Sequence, residues 1–144
     1  MRSHPKALLA VIGVLLLAAC GGGDSTTGVQ GDFTGTFSLS TINGTGLPFT
    51  IQFNQSTVTF TGGSFTIAAD GTFSDVLLYQ TSSAGNIDLT STCPGTYVQS
   101  GNTFTFTEPS NPNDSVCGGI FAGSGSGNTL TINFAIGFQA AYSK

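Results

Sequence analysis

The sequence predicts an all-β domain, an up-and-down antiparallel meander that closes into a small barrel of about 8–10 strands. Three observations lead to this prediction. Apolar and polar residues alternate with a period of two from Asp32 onward, as in Phe104-Thr105-Phe106-Thr107. Short turn signals separate the alternating runs. No segment after Asp32 sustains a period of 3.6 residues, so we expect no helix there.

The alternating runs define the expected strands, and the turn signals define where the strands end. Glycine and asparagine tolerate the positive φ that tight hairpin turns require. The turn signals are Asn43-Gly44, Gly62-Gly63, Asp70-Gly71, Gly85-Asn86, Gly101-Asn102 and Gly127-Asn128. Strands are expected near residues 33–42, 48–53, 57–61, 64–68, 72–81, 87–99, 102–108, 116–123 and 129–142. Because the connections are short, most strands should pair with their neighbours in the sequence.

One face of these strands carries most of the phenylalanines of the chain. An eight-stranded barrel is just wide enough for side chains to fill its interior. So much aromatic bulk in a domain of residues 32–144 favours a packed interior over a wide cavity. The residues expected inside are Phe33, Phe37, Phe49, Phe53, Phe60, Phe65, Phe104, Phe106 and Phe134.

The first 31 residues differ in character from the rest of the chain. Arg2 and Lys6 precede an apolar run from Ala7 to Ala19. As a helix this run would rise about 20 Å, which is too short for a bilayer core of about 30 Å. The pattern is typical of an export signal over residues 1–19. Residues 20–31 begin with Cys20 and are rich in glycine, which predicts a flexible tether.

The signal ends in Leu17-Ala18-Ala19-Cys20, which resembles the lipobox of bacterial lipoproteins. The resemblance implies cleavage before Cys20 and acylation of Cys20, so that a lipid bilayer is the first predicted partner. Two or three acyl chains hold a protein firmly, because each buried CH₂ contributes about 0.8 kcal/mol. Lipoproteins of this type that stay at the inner membrane commonly carry aspartate after the cysteine, whereas this chain has Gly21. We therefore expect a lipid anchor in the cell outer membrane, with the domain on the periplasmic face or the cell surface.

Charge excludes nucleic acid as a partner. Residues 20–144 contain seven acidic residues, a single base (Lys144), and no arginine, histidine, tryptophan or methionine. A chain without a cationic patch cannot neutralise phosphates. The same composition offers no histidine as a general base, and no serine motif has a partner base. We therefore predict no catalytic residue, no cofactor and no enzyme activity.

Acidic residues are the remaining candidates for chemistry. Two carboxyl groups could in principle serve a glycosidase. Asp70 falls in a turn signal, so only Asp75, Asp88 and Glu108 are candidates for such a pair. Residues 108–114 supply oxygen atoms of the kind that Ca²⁺ prefers. Their spacing does not match an EF-hand, and the residue types are those of ordinary loops. We predict no metal site.

Cys93 and Cys117 remain once Cys20 is assigned to lipid. Export places them in an oxidising compartment, where a disulfide is expected. The two cysteines belong to alternate strands of the meander, which lie about 9.6 Å apart and beyond disulfide reach. The bridge therefore requires at least one cysteine outside the regular ladder, and Pro94 and the loop at 109–114 allow this.

The strand and turn motifs also carry a resemblance. A Gly-Thr-Phe strand at residues 35–37 leads through Asn43-Gly44 into a second strand, and residues 69–73 and 95–106 form similar hairpin patterns. These motifs resemble small lipocalin-like domains of bacterial lipoproteins over roughly residues 31–142. The resemblance implies a lipocalin-like β-barrel and no catalytic residue. The Gly-x-Trp motif of the large ligand-carrying lipocalins is absent, since residues 20–144 contain no tryptophan.

Two functions stay open at this point. The domain is either a carrier or sensor of a small apolar ligand, or an envelope-structural or surface interaction protein with a solid barrel. The first requires a pocket and the second does not. The sequence names neither ligand-binding residues nor a protein partner.

Overall fold

The structure is a computed structural model that describes residues 31–53, 55–111, 116–134 and 137–144. The expected signal peptide, the expected lipidation site Cys20 and nearly all of the expected tether lie outside the described residues. The structure describes the backbone of Phe53 but not its side chain.

The described residues form ten strands and one short 3-10 turn. In chain order these are β1 (Gly35–Ile42), β2 (Thr45–Gly46), β3 (Phe49–Phe53), β4 (Ser56–Ile67), β5 (Thr72–Thr81), the 3-10 turn (Ser82–Ala84), β6 (Asp88–Ser100), β7 (Thr103–Glu108), β8 (Gly119–Ser126), β9 (Thr129–Asn133) and β10 (Gln139–Ser143).

Eight of the strands close into an antiparallel barrel. Strands β4 to β10 pair in chain order, β10 pairs with β1, and β1 returns to β4. The prediction of an all-β up-and-down meander that closes into a barrel is therefore confirmed. The two additional strands lie beside this ring, since β2 pairs with β1 and β3 pairs with β4.

The seam between β1 and β4 is paired along only part of its length. Residues 35–38 of β1 pair with residues 64–67 of β4. Beyond Ser38 the two strands diverge, because Thr41 and Ile42 pair with β2 while residues 56–60 pair with β3. Strands β1 and β4 are therefore paired at one end of the seam and separated at the other.

The two ends of the barrel differ in the length of their connections. The closed end consists of the tight β4–β5, β6–β7 and β8–β9 turns and the entry of the chain at residues 31–34. Gly31 is held there by the Gln99 Nε2 group, which donates to its carbonyl oxygen at 3.1 Å. The open end consists of the longer β1–β3, β5–β6, β7–β8 and β9–β10 connections. The chain therefore enters the barrel at the end opposite these longer connections.

Aromatic rings fill the closed half of the barrel. The ring centroid of Phe106, which is fully buried, lies 5.0 Å from those of Phe65 and Phe73 and 5.4 Å from that of Phe121. Edge-to-face and offset-stacked arrangements of this kind are favourable for aromatic pairs. Close packing of these rings therefore fills the interior of this half with side chains.

Phe33 closes the end where the chain enters. Its ring meets Phe104 edge-on at 5.4 Å and covers Gly125, where a Cβ would overlap the ring. Of the phenylalanines predicted inside, five are buried and three are half-buried against the core. The buried ones are Phe33, Phe37, Phe65, Phe104 and Phe106, and the half-buried ones are Phe49, Phe60 and Phe134.

Two strand predictions were wrong. Gly62-Gly63 is not a hairpin turn but an irregularity inside the single strand β4, whose register against β5 shifts between Phe60 and Gly62. A Cβ at Gly63 would lie 2.6 Å from the carbonyl oxygen of Val76, so glycine is required by a close backbone approach rather than by a turn. The expected strand at 129–142 is a hairpin of β9 and β10, in which Asn133 pairs with Gln139.

Candidate functional site

A cavity occupies the interior of the barrel at the open end, above the aromatic core. Its volume is about 60 Å³. One buried water requires about 10–15 Å³ on this scale, so the cavity accommodates about four waters or a ligand of a few heavy atoms. We call this cavity the cup.

Most of the cup wall is apolar. Three polar side chains, Asp75, Glu108 and Tyr142, interrupt this wall, and Cys93 completes it. The apolar lining residues are Leu39, Ile42, Phe60, Leu77, Val116, Phe134, Phe138 and Ala140. A concave apolar surface with a few convergent polar groups is typical of a small-molecule site.

Strand periodicity aims the three polar side chains inward. Asp75 lies between the buried residues Phe73 and Leu77 on the inner face of β5. Glu108 follows two buried phenylalanines at the same parity on β7, and Tyr142 follows Ala140 on β10. Since these strands are not neighbours, the closure of the barrel is what brings the three groups to one cavity.

Asp75 is the most deeply buried acidic group of the cup, with a side chain that is 1% exposed. The Tyr142 hydroxyl donates a hydrogen bond to its Oδ1 at 3.1 Å. Burial raises the pKa of Asp75 to about 7; the Tyr142 hydrogen bond opposes this rise, and the charge of Glu108 adds to it. Burial and the adjacent Asp75 also raise the pKa of Tyr142 well above its usual value. The Asp75 carboxyl group therefore keeps its proton to a higher pH than an exposed aspartate does.

Glu108 connects the cup to the β7–β8 connection. Its Oε2 accepts a hydrogen bond from the backbone N–H of Gly118 at 2.9 Å. This contact holds the segment that leads into β8 against the end of β7. Glu108 thus has a structural role at the rim in addition to its negative charge.

The structure places Cys93 and Cys117 at disulfide distance, with sulfur atoms 2.04 Å apart and Cα atoms 5.3 Å apart. Cys93 lies within β6, opposite Asp75 of β5, whereas Cys117 precedes the first residue of β8. One cysteine therefore lies outside the regular ladder, as the strand spacing requires. Closing a loop with a sequence separation of 24 residues contributes about 3.5 kcal/mol in the chain-entropy model.

The other acidic candidates lie away from the cup. Asp88 is exposed and accepts a hydrogen bond from Gln80 Nε2 at 2.8 Å. Asp70 accepts hydrogen bonds from the hydroxyl and the backbone N–H of Thr72, which lower its pKa and stabilise the β4–β5 turn. Within the described ranges, no group of three or more histidine, cysteine, aspartate or glutamate side chains is arranged to hold a metal ion.

Sequence reasoning named Asp75 and Glu108 as available acids but assigned them no site, and it did not identify Tyr142 as their neighbour. Comparison with known proteins adds no assignment, because no protein-family model, no curated protein and no solved structure matches this chain. In the part of the chain that the structure describes, no helix is long and apolar enough to span a membrane. The site is therefore interpreted from its own geometry.

The raised pKa of Asp75 predicts that the free energy of unfolding depends on pH. Its pKa is about 7 in the folded chain and 3.8 in the unfolded chain. Between these pH values the folded state therefore binds more protons than the unfolded state. The stabilisation that results from this protonation is complete below pH 3.8 and is lost as the pH rises through 7. We expect the free energy of unfolding to fall by on the order of 2–3 kcal/mol between about pH 5 and pH 8. Asp75→Asn should remove most of this slope and be more stable than the natural chain at pH 8.

Urea unfolding at a series of pH values checks this expectation. Asp88→Asn removes the same charge from an exposed site and should retain the slope. An Asp75→Asn chain with an unchanged pH dependence would show that another group is responsible.

Proposed function

We propose that this protein is a lipoprotein, anchored in the outer membrane through acylated Cys20, whose lipocalin-like barrel binds a small, largely apolar ligand in the cup. The observation that carries the proposal is the cavity of about 60 Å³ with predominantly apolar walls. The proposed role is that of a carrier or sensor without enzyme activity, because the described residues that line the cup include no histidine and no activated nucleophile.

The position of the cup is consistent with an anchored binding module. Gly31 lies at the closed end, so an anchor upstream of it tethers the barrel by the end opposite the cup. A flexible tether of this length has an expected end-to-end distance on the order of 17–20 Å. That distance lifts the barrel off the headgroups and leaves the cup accessible to solutes.

The size of the cup limits both the ligand and its affinity. The best small ligands gain at most about 1.5 kcal/mol per heavy atom, so a ligand of about four heavy atoms gains at most about 6 kcal/mol. That free energy corresponds to a Kd on the order of tens of micromolar. A sensor or short-range carrier of an abundant small molecule fits this range better than a protein that stores its ligand tightly.

The alternative role is an envelope-structural or surface interaction protein. The specific observation that favours it is the outer wall of the barrel, where Val98 and Ile120 are 72% and 67% exposed. Threonine and serine side chains surround them on β6, β7 and β8. A module of this kind would use the wall and would not need the cup.

Substitutions at two neighbouring alanines distinguish the ligand-binding role from the structural role. Ala140 lines the cup, whereas Ala141 lies on the other face of β10. We expect Ala140→Leu to fill the cup and weaken the binding of 1-butanol by at least about tenfold, which corresponds to about 1.4 kcal/mol. Ala141→Leu should change the affinity by less than about twofold. Isothermal titration calorimetry on the full chain in phosphatidylcholine nanodiscs measures both affinities, with empty nanodiscs as the blank.

Thermal unfolding of both variants shows whether Ala140→Leu still folds. Equal affinities for 1-butanol in the natural chain and a folded Ala140→Leu chain would contradict binding in the cup. No saturable binding by the natural chain would favour the structural role.

A further inference from the structure

We propose that the cup selects ligands that carry a primary ammonium group on a short apolar chain, with the ammonium group placed against Asp75. This inference rests on the proposed function, because it names the ligand class of the same cavity. Three observations carry it: the burial of Asp75, the location of the single base of the domain, and the combination of a second acid with apolar walls.

Asp75 is an acid in an apolar cavity with a neutral neighbour. Its described hydrogen bond comes from the Tyr142 hydroxyl, which carries no charge at neutral pH. A carboxylate removed from water is costly unless a positive charge or several hydrogen bonds compensate it. The empty cup therefore favours the protonated form of Asp75, and a cation in the cup would favour the carboxylate.

No basic side chain of residues 31–144 can supply that cation. The single base of this segment is Lys144. Its Nζ donates to the carbonyl oxygen of Thr34 at 2.7 Å and lies 4.6 Å from the centroid of the Phe37 ring, at the closed end of the barrel. The positive charge that would pair with Asp75 is thus expected from a ligand.

The rest of the cup fits the two parts of such a ligand. Glu108 contributes a second carboxyl group to the same cavity, and its charge acts on Asp75. Apolar walls keep the local dielectric constant low, which strengthens attraction to a cation and repulsion of an anion. Leu39, Phe60 and Leu77 offer apolar surface to the hydrocarbon chain. The arrangement favours an alkylammonium ion over an alcohol, and both over a carboxylate.

Binding of an ammonium ion should also release a proton. Among the residues that the structure describes, the titratable groups that face Asp75 are Tyr142 on β10 and Glu108 on β7, and Cys93 on the adjacent β6 belongs to the disulfide. The ligand stays protonated throughout, since a primary amine has a pKa of about 10.4. The proton leaves the Asp75 carboxyl group for the buffer. Because burial raises the pKa of this group to about 7, we expect a measurable fraction of a proton to be released per bound ligand at pH 7.

Calorimetric titration of the full chain in phosphatidylcholine nanodiscs tests the inference. The probes are 1-butylammonium, 1-butanol and butyrate, each in two buffers with different ionisation enthalpies. We expect 1-butylammonium to bind at least about tenfold more tightly than 1-butanol, and butyrate to bind more weakly than either. In Asp75→Asn the preference for the ammonium ion over 1-butanol should disappear, together with proton release.

Asp88→Asn is the matched control, because it removes an exposed acid and should keep the preference. Equal affinities for 1-butanol and 1-butylammonium, or a preference that survives in Asp75→Asn, would overturn the inference and leave the proposed cup intact. If none of the three probes binds saturably, both the inference and the proposed function are wrong.

Discussion

Phe106→Ala should lower the free energy of unfolding by about 3–5 kcal/mol, the range for truncating a large buried aromatic side chain. Phe106 is fully buried, and its ring contacts those of Phe65, Phe73 and Phe121 with centroids 5.0–5.4 Å apart. These rings come from four different strands, so the truncation leaves a cavity that no single strand can fill by moving. Small domains are stable by about 5–15 kcal/mol, so the loss is a large part of the total.

Urea unfolding under non-reducing conditions measures this loss. Val98→Ala is the control, because Val98 is 72% exposed on the outer wall and its truncation should cost less than about 0.5 kcal/mol. Losses of equal size in the two variants would contradict the aromatic core as the main source of stability.

Cys20→Ala should abolish lipid labelling of the chain. The proposed anchor consists of acyl chains on this one residue, and the apolar run before it is too short to span a bilayer. We therefore expect the variant to be either released from the membrane or left uncleaved. Labelling with an alkyne analogue of palmitate, followed by membrane fractionation, distinguishes these outcomes from the natural pattern.

The control for this prediction is Cys93→Ser with Cys117→Ser, which removes the other two cysteines and should leave lipid labelling unchanged. A cleaved Cys20→Ala chain that stays in the membrane fraction would show that another feature holds the protein there.

The architecture was predictable because alternation and turn chemistry are local signals. Each predicted turn signal other than Gly62-Gly63 lies at a turn in which glycine or asparagine adopts a positive φ, as at Asn43 and Gly101. The need for one cysteine outside the ladder also followed from strand spacing alone. Local rules of this kind reach as far as neighbouring strands and no further.

The two wrong strand predictions show where local rules fail. Paired glycines serve a turn and a close backbone approach equally well, and only the position of Val76 on β5 distinguishes these uses of Gly63. In the segment at 129–142, Leu130, Ile132 and Tyr142 keep the same parity on both sides of a hairpin. The period of two therefore does not show whether such a segment forms one long strand or a hairpin of two strands.

The sequence indicated two of the polar residues of the cup, but it did not indicate that they share one cavity. Asp75 shares its parity with Phe73 and Leu77, and Glu108 shares its parity with Phe106. A charged residue at a core position of a strand is an expected mark of a functional site. That these acids share one cavity with Tyr142 depends on the closure of the barrel, which is a long-range feature.

Methyl NMR spectra of the full chain titrated with 1-butanol show directly whether a small apolar ligand binds in the cup. We expect saturable shifts at the methyl groups of Leu39 and Leu77, which line the cup. The methyl groups of Ile67 and Leu130 in the closed core, and of Ile120 on the outer wall, should not follow the same curve. Shifts at Leu39 and Leu77 that stay absent, or that rise linearly together with those of Ile120, would contradict the claim.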